Sequence, residues 1–447
     1  MAWYDEAVFY HIYPLGLSGA PALNEGAELT HRLRDLEPWI DHMKEINCNA
    51  LYIGPLFESV GHGYETTDYK QLDRRLGDND DLKHFVQVCH DKGIHVILDG
   101  VFNHTGREFF AFKDLQKNRE NSPYKDWYCN VNFYGNNEYN DGFSYDNWGG
   151  FNLLVKLNQK NPQVKDYLYD VIRFWVSEFD IDGIRLDAAD VLDFDFMKGM
   201  RHVANEVKPD FWLMGEVIHG EYNRWVNAQM LHSVTNYHLN KALWSGCNDH
   251  NFFEIAHTVK RLYDMGGCHY DNMKLYNFAD NHDVERIINK LQNRDHYSIV
   301  HILMYTLPGI PSIYYGSEFA IEGRKEKGSD ASLRPALSLD DYRDAIQTNP
   351  HTELVGKLGK IRQETPVLSY GEYRELLLTT RQYAFARTWN EKDVITAVNN
   401  DDAECTLRIP YQGSQASFTG LISGKKYEVE NGQIVLSLDA STGDILR

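Results

Sequence analysis

The chain has 447 residues, and 45 basic against 65 acidic side chains give it a net charge of −20. That sign argues against a nucleic-acid or anionic-membrane partner, because both are bound through clustered Lys and Arg. A hydrophobic content of 43% argues against disorder, and the length suits two to four domains or one large barrel with an appendage.

In chain order, Met1-Ala2-Trp3-Tyr4-Asp5-Glu6 shows no basic region followed by an apolar run. No secretory signal is therefore expected, and the protein is placed in the cytoplasm. Eight β-rich apolar runs follow: Val8–Leu15, Ala50–Phe57, His95–Val101, Gly183–Asp187, Trp212–Val217, Ser233–Leu239, Leu275–Ala279 and Ser312–Tyr315. Amphipathic stretches such as Leu82–Lys92 and Val164–Phe179 lie between most of them. Strands alternating with helices predict an α/β fold with a parallel sheet, and eight repeats predict a closed (β/α)8 TIM barrel. Alternation alone also fits an open doubly wound sheet. The most apolar stretch, Ile299–Tyr315, is broken by His301, Pro308 and Pro311, so it does not read as a membrane span. Six cysteines, at 48, 89, 129, 247, 268 and 405, fit neither a disulfide framework nor a zinc site and read as free thiols.

Two regions break the rhythm. From Asn103 to about Lys160 the sequence is rich in Asn, Tyr, Phe, Gly and Trp, which predicts an inserted domain after the third strand. After Pro366 come the short strands Tyr383–Trp389, Asp393–Asn399, Cys405–Ile409, Lys426–Val429 and Gln433–Leu438, with Asn431-Gly432 as a hairpin turn. The expected division is a barrel over 1–366, an insertion over 104–160 and a C-terminal antiparallel β-sandwich over 367–447.

Polar residues gather at four strand ends: Asp99 to His104, Arg185 with Asp187, Glu216, and Asp280 to Asp283. In a parallel barrel these ends converge on one mouth. A carboxylate there is also a common helix N-cap, but capping alone does not explain four such clusters. Paired carboxylates suit glycoside cleavage, in which one acts as nucleophile and the other as proton donor. Arg185 and Asp187 share a strand face, so the guanidinium is expected to keep Asp187 ionised. Glu216 lies among Leu213, Met214, Val217 and Ile218, where burial favours its protonated form. The 58 aromatic residues, 28 Tyr, 21 Phe and 9 Trp, are mostly core but also suit a cleft that stacks sugars.

These segments resemble the α-amylase family, glycoside hydrolase family 13, over nearly the whole chain. Asp99–His104, Gly183–Asp187, Gly215-Glu216-Val217 and Phe278–Asp283 are similar to its four conserved regions, Leu157-Asn158 to a motif closing its inserted domain, and Gly309–Glu318 to its eighth-strand motif. The resemblance implies a (β/α)8 barrel, an insertion after strand three and a C-terminal β-sandwich. It implies Asp187 as nucleophile, Glu216 as general acid/base and Asp283 as the carboxylate that holds sugar hydroxyls. Arg185 would orient the nucleophile. His104 and His282 would bond the sugar at the scissile subsite, and Tyr64 would stack there. Asp330 and Arg334 look like a sugar-binding pair, against the alternative of a surface salt bridge. Asp99 and Asn103 would support His104 and the barrel mouth.

Many endo-acting relatives carry a Lys-His pair where this chain has Asp190 and Val191. Val155-Lys156-Leu157-Asn158 and His219 look more like cyclomaltodextrinases and neopullulanases. Asn281-His282-Asp283 looks more like ordinary α-amylases, and Ile218 stands where cyclomaltodextrinases have an aromatic residue. Those enzymes also carry an N-terminal β domain used in dimerisation. The first strand here begins near Val8, so a dimer of that type is not expected, and the oligomeric state stays open. The chemistry needs no cofactor. Calcium stays open, with Asn103 and the Asn136–Asp141 cluster as candidate oxygen ligands. The expected substrate is an α-1,4-linked maltooligosaccharide or α-glucan. A glucan-transferring relative, a cyclomaltodextrinase or an α-glucosidase is the alternative. A non-catalytic binding subunit is disfavoured, because all three carboxylates are present.

Overall fold

The computed structural model describes residues 1–263 and 273–447. Eight strands form one parallel sheet: β1 (Phe9–Ile12), β2 (Ala50–Ile53), β3 (His95–Gly100), β4 (Gly183–Leu186), β5 (Trp212–Gly215), β6 (Ser233–Val234), β7 (Tyr276–Phe278) and β8 (Ile310–Tyr314). Their order is β6-β5-β4-β3-β2-β1-β8-β7. A parallel bridge between Thr235 and Tyr276 then joins the two ends, and Asn236 N donates to Tyr276 O at 2.9 Å. The sheet therefore curls into a barrel, and the open doubly wound alternative is set aside. Strand alternation sorts the side chains. Phe9, Tyr52, Ile97, Trp212, Met214 and Tyr276 pack together inside the barrel, while Tyr10, Leu51, Val96, Ile184 and Leu213 face the helices.

The helices that matter here are α1 (Pro38–Glu45), α2 (Asn79–Asp91), α3 (Pro162–Phe179), α4 (Phe194–Val207), α5 (Tyr237–Asn248), α6 (Phe252–Tyr263), α7 (His296–Thr306) and α8 (Pro350–Glu364). The predicted Leu82–Lys92 helix starts earlier, because the Asp78 side chain caps it by accepting from Asp81 N. Its apolar face, Leu82, Phe85, Val86 and Cys89, is buried. Asn161 and Pro162 start α3 in the same way. The expected sixth strand, Ser233–Leu239, ends at Val234 instead. Asn236 turns the chain there, its side chain accepting from Leu239 N at 3.1 Å to cap α5.

One buried carboxylate ties three strands together at the barrel's lower rim. Asp182, just before β4, exchanges backbone bonds with Val96 and Trp212. Its side chain accepts from Val96 N at 2.8 Å, meets Lys208 Nζ at 2.9 Å and lies 2.8 Å from His90 Nε2. Burial raises its pKa, but the bonds from His90, His95, Val96 and Lys208 outweigh that and hold it well below the usual carboxylate range. A depressed folded pKa adds stability above the unfolded value of about 3.9, and this is lost as pH falls through the folded pKa. Asp182→Asn should therefore cost about 2–3 kcal/mol at pH 7, with the deficit shrinking below about pH 4. Denaturant unfolding of both proteins at pH 7 and pH 3.5 measures it, and an equal deficit at both pH values would refute this account.

The insertion contains a helix, Phe110–Asn118, and a three-stranded antiparallel sheet of His104–Thr105, Phe151–Lys156 and Asn147–Trp148. Trp127, Tyr128, Phe143 and Tyr145 are buried in it, whereas Tyr134, Tyr139 and Trp148 are exposed.

The C-terminal part has two antiparallel sheets. The first orders β9 (Glu372–Leu378), β10 (Gln382–Trp389), β11 (Lys392–Asn399) and β16 (Thr442–Leu446). The second orders β12 (Cys405–Pro410), β15 (Gln433–Leu438), β14 (Lys426–Glu430) and β13 (Ser417–Thr419). Alanines 384, 386 and 397 with Ile395 and Leu446 pack against Leu407, Ile409, Ile434 and Leu436. Three strands, β9, β13 and β16, were not expected from the sequence. The Asn431-Gly432 turn is present, with both φ angles positive.

No helix among the described residues is long and apolar enough to cross a membrane. Cys48, Cys89, Cys129, Cys247 and Cys405 are free thiols, and Cys268 lies outside the described residues.

Candidate active site

The C-terminal ends of β3, β4, β5 and β7 bring their carboxylates to one mouth, built around a single guanidinium. Arg185, on β4, is buried. Its Nη1 donates to Asp99 Oδ1 at 2.9 Å and to Asp187 Oδ1 at 2.9 Å, and its Nη2 lies 2.9 Å from Glu216 Oε2. Three carboxylates from three strand ends thus share one cation. Glu216 Oε2 also accepts from Ala188 N at 3.1 Å, and Tyr237 OH donates to Oε1 at 3.4 Å.

Burial raises the pKa of Asp187 well above the usual carboxylate value and also raises that of Glu216. Arg185 opposes the shift in both, and the neighbouring carboxylates add to it. Here the structure departs from expectation: Arg185 does not act on Asp187 alone. Its charge is divided among Asp99, Asp187 and Glu216, so none of the three carboxyls has the guanidinium to itself.

A second group faces them. Asp283 Oδ1 accepts from Arg334 Nη2 at 2.9 Å, and its Oδ2 is 3.1 Å from His282 Nε2. Arg334 Nε donates to His282 O at 3.0 Å, and its Nη2 reaches Asp330 Oδ2 at 3.3 Å. The Asp330–Arg334 pair is therefore joined to the mouth and is not an isolated surface bridge. Tyr64 OH donates to Asp99 Oδ2 at 3.1 Å and also touches His282 Nε2, while its ring stacks on that imidazole. His104 Nε2 is 3.1 Å from Tyr64 O. Burial pushes the His104 pKa down to about 3, and burial with Arg334 and Arg185 lowers that of His282. Both imidazoles are neutral at neutral pH, so each can donate and accept.

The structure thus brings together Asp187, Glu216, Asp283, Tyr64, His104, Arg185, His282, Asp330 and Arg334. Sequence reasoning passed over Tyr13, Tyr52 and Tyr237. Tyr52 OH donates to Asp99 Oδ2 at 2.9 Å, and the Tyr13 ring lies against His282 and under the Arg334 guanidinium. Tyr13 and Tyr237 follow β1 and β6 by one and three residues, and that position was the only available signal.

The proposed calcium ligands fit poorly. Asp141 is already paired with Arg107 at 2.6 and 2.8 Å and also accepts from Asn137 Nδ2. Asn136 is bonded to Asn140 and Gly142. A cation would have to displace a bidentate arginine. Asn103 is buried with its Oδ1 unpartnered, so beside Asp141 and Asn136 it is the one that keeps an oxygen free.

The barrel thus carries carboxylates, neutral imidazoles and aromatic rings at its C-terminal mouth, the face where barrel enzymes place their sites. Residues 33–427 match the α-amylase catalytic domain, and the chain belongs to that family, glycoside hydrolase family 13. It is 32% identical to a cyclomaltodextrinase of a Bacillus species over 91% of this chain and 75% of the relative. It is 28% identical to an intracellular maltogenic amylase of Bacillus subtilis over 89% of this chain and 69% of that one. A solved cyclomaltodextrinase structure superposes with a TM-score of 0.87 at 27% identity, covering all of this chain and 78% of that one.

Proposed function

We propose that the protein is a cytoplasmic retaining α-glucan hydrolase that cleaves α-1,4-glucosidic bonds of short maltooligosaccharides. The observation that carries this is the Arg185 guanidinium, which binds Asp187 and Glu216 on its two amino groups. Two carboxyls gathered on one guanidinium suit a nucleophile and an acid/base acting on the same bond, as retention requires. Asp187 attacks the anomeric carbon and forms a glycosyl ester. Glu216 gives its proton to the leaving oxygen, then takes one from the incoming water. Asp283, held by Arg334 and His282, receives sugar hydroxyls as the ring flattens. His104, His282 and Tyr64 bind the same glucosyl unit, and Asp330 steadies Arg334. Similarity to a cyclomaltodextrinase and a maltogenic amylase supports the substrate class, and similarity to an intracellular maltogenic amylase supports the location.

A second reading within the family is cyclomaltodextrin cleavage, favoured by the 32% identical relative. Val191 and Ile218 are both exposed where other members carry a basic pair or an aromatic ring. Such a bare lip favours short soluble chains. Catalytic efficiency should rise from maltotriose to maltoheptaose and exceed that for soluble starch or glycogen per chain end. Product chromatography with these substrates, β-cyclodextrin and pullulan is the test. Polymers cut internally and faster than maltoheptaose would refute the short-chain reading. Longer oligosaccharides appearing early would replace hydrolysis by transfer.

A further inference from the structure

A buried imidazole beneath the mouth takes no part in the chemistry described above. His11 lies on β1, where the parallel register sets it opposite Tyr52 on β2 and Tyr314 on β8. Its ring stacks on Tyr52 with centroids 4.1 Å apart and leans on Tyr314 at 4.8 Å. Both tyrosines are tied down: Tyr52 OH donates to Asp99 Oδ2, and Tyr314 OH donates to Leu333 O at 2.9 Å. In a close-packed interior, His11 cannot turn without displacing them. Its third ring contact is His282, with centroids 5.2 Å apart and the two planes at 86°.

His282 is held by hydrogen bonds on one edge only. Its Nε2 faces Asp283 Oδ2 at 3.1 Å and touches Tyr64 OH, whereas its Nδ1 is buried without a hydrogen-bond partner. An Nδ1–H there would be left unsatisfied, so the proton belongs on Nε2, where the Asp283 carboxylate accepts it. Packing must then fix the tilt of the ring. The Tyr13 and Tyr64 rings lie nearly parallel to it, each at 5.8 Å, and His11 stands across it. Burial, with His282 and Arg185 nearby, lowers the His11 pKa well below the usual histidine value. Its Nε2 is also buried without a partner, so His11 acts on its neighbour through shape.

We propose that His11 is a positioning residue for His282, a wedge set by Tyr52 and Tyr314 that holds the His282 imidazole square to Asp283 and to the sugar hydroxyls. The proposal rests on the α-glucan hydrolase reading. His11 touches no substrate itself. A loosened His282 loses bonds that tighten as the sugar ring flattens, whereas binding along the rest of the chain is kept. The loss therefore falls on kcat and not on KM.

The test is a double-mutant cycle on maltoheptaose, with His11→Ala and His11→Phe made in the wild type and in His282→Ala, and melting curves taken beside the kinetics. His11→Ala should lower kcat about tenfold with KM within about twofold, and His11→Phe, which keeps a flat ring, should recover most of the loss. In the His282→Ala background, His11→Ala should cost less than about twofold more, because the group it positions is gone. Should His11→Ala fail to fold, His11→Leu replaces it in the cycle, filling the space without a flat ring. An active wild type whose two losses multiply in the double variant would overturn the wedge and leave the hydrolase reading standing. So would a His11→Phe variant no faster than His11→Ala. A wild type that cleaves no α-glucan would overturn the hydrolase reading and the wedge with it.

Discussion

Asp187→Asn is expected to lower kcat by about 10³-fold or more while the protein stays folded. An amide oxygen can still accept the Arg185 hydrogen bond that Asp187 Oδ1 accepts at 2.9 Å, so the Asp99–Arg185–Glu216 cluster should persist. What is lost is the nucleophile, because the amide cannot form the glycosyl ester. The amide keeps the Arg185 bond and introduces no new buried charge, so the melting temperature should hold. Steady-state kinetics on maltoheptaose beside a melting curve give the answer. A folded variant with near-normal turnover would end the assignment of Asp187.

Glu216→Gln should be nearly as damaging on natural substrates, but its effect should depend on the leaving group. An α-glucosyl fluoride needs little protonation, so formation of the intermediate should be largely spared. Its breakdown should still be slow, because no base activates water. Azide needs no base, so it should restore turnover and yield an α-glucosyl azide. The pH profile gives a second readout. Burial raises the Glu216 pKa above its ordinary value, so the alkaline limb of kcat/KM marks loss of the proton it donates. That limb should disappear for the fluoride in the variant. Equal losses on fluoride and maltoheptaose, with no azide product, would remove Glu216 from the acid/base role.

Much of this molecule was legible before folding. Period and alternation gave the β/α order, because strand and helix each leave a local hydrophobic pattern. The strand-end residues Asp99, Asp187, Glu216 and Asp283 were legible because a parallel barrel sends every strand's C-terminal end to one face. Composition and the break in the β/α rhythm also pointed to the aromatic-rich insertion, though not to which of its rings would be buried.

Other features were decided only by tertiary contacts. Closure of the barrel rests on the Thr235–Tyr276 bridge, between segments 41 positions apart, and nothing local distinguishes it from an open edge. The three missed C-terminal strands are short or partly polar, and pairing with neighbours rather than intrinsic pattern makes them strands. Two residues on one strand suggested that Arg185 belonged to Asp187. The fold gave it two further carboxylates, because β3 and β5 flank β4 and deliver Asp99 and Glu216 to the same guanidinium. Local sequence fixes which side chains point inward, but the sharing of one charge among groups from three strands depends on distances that only the closed barrel sets.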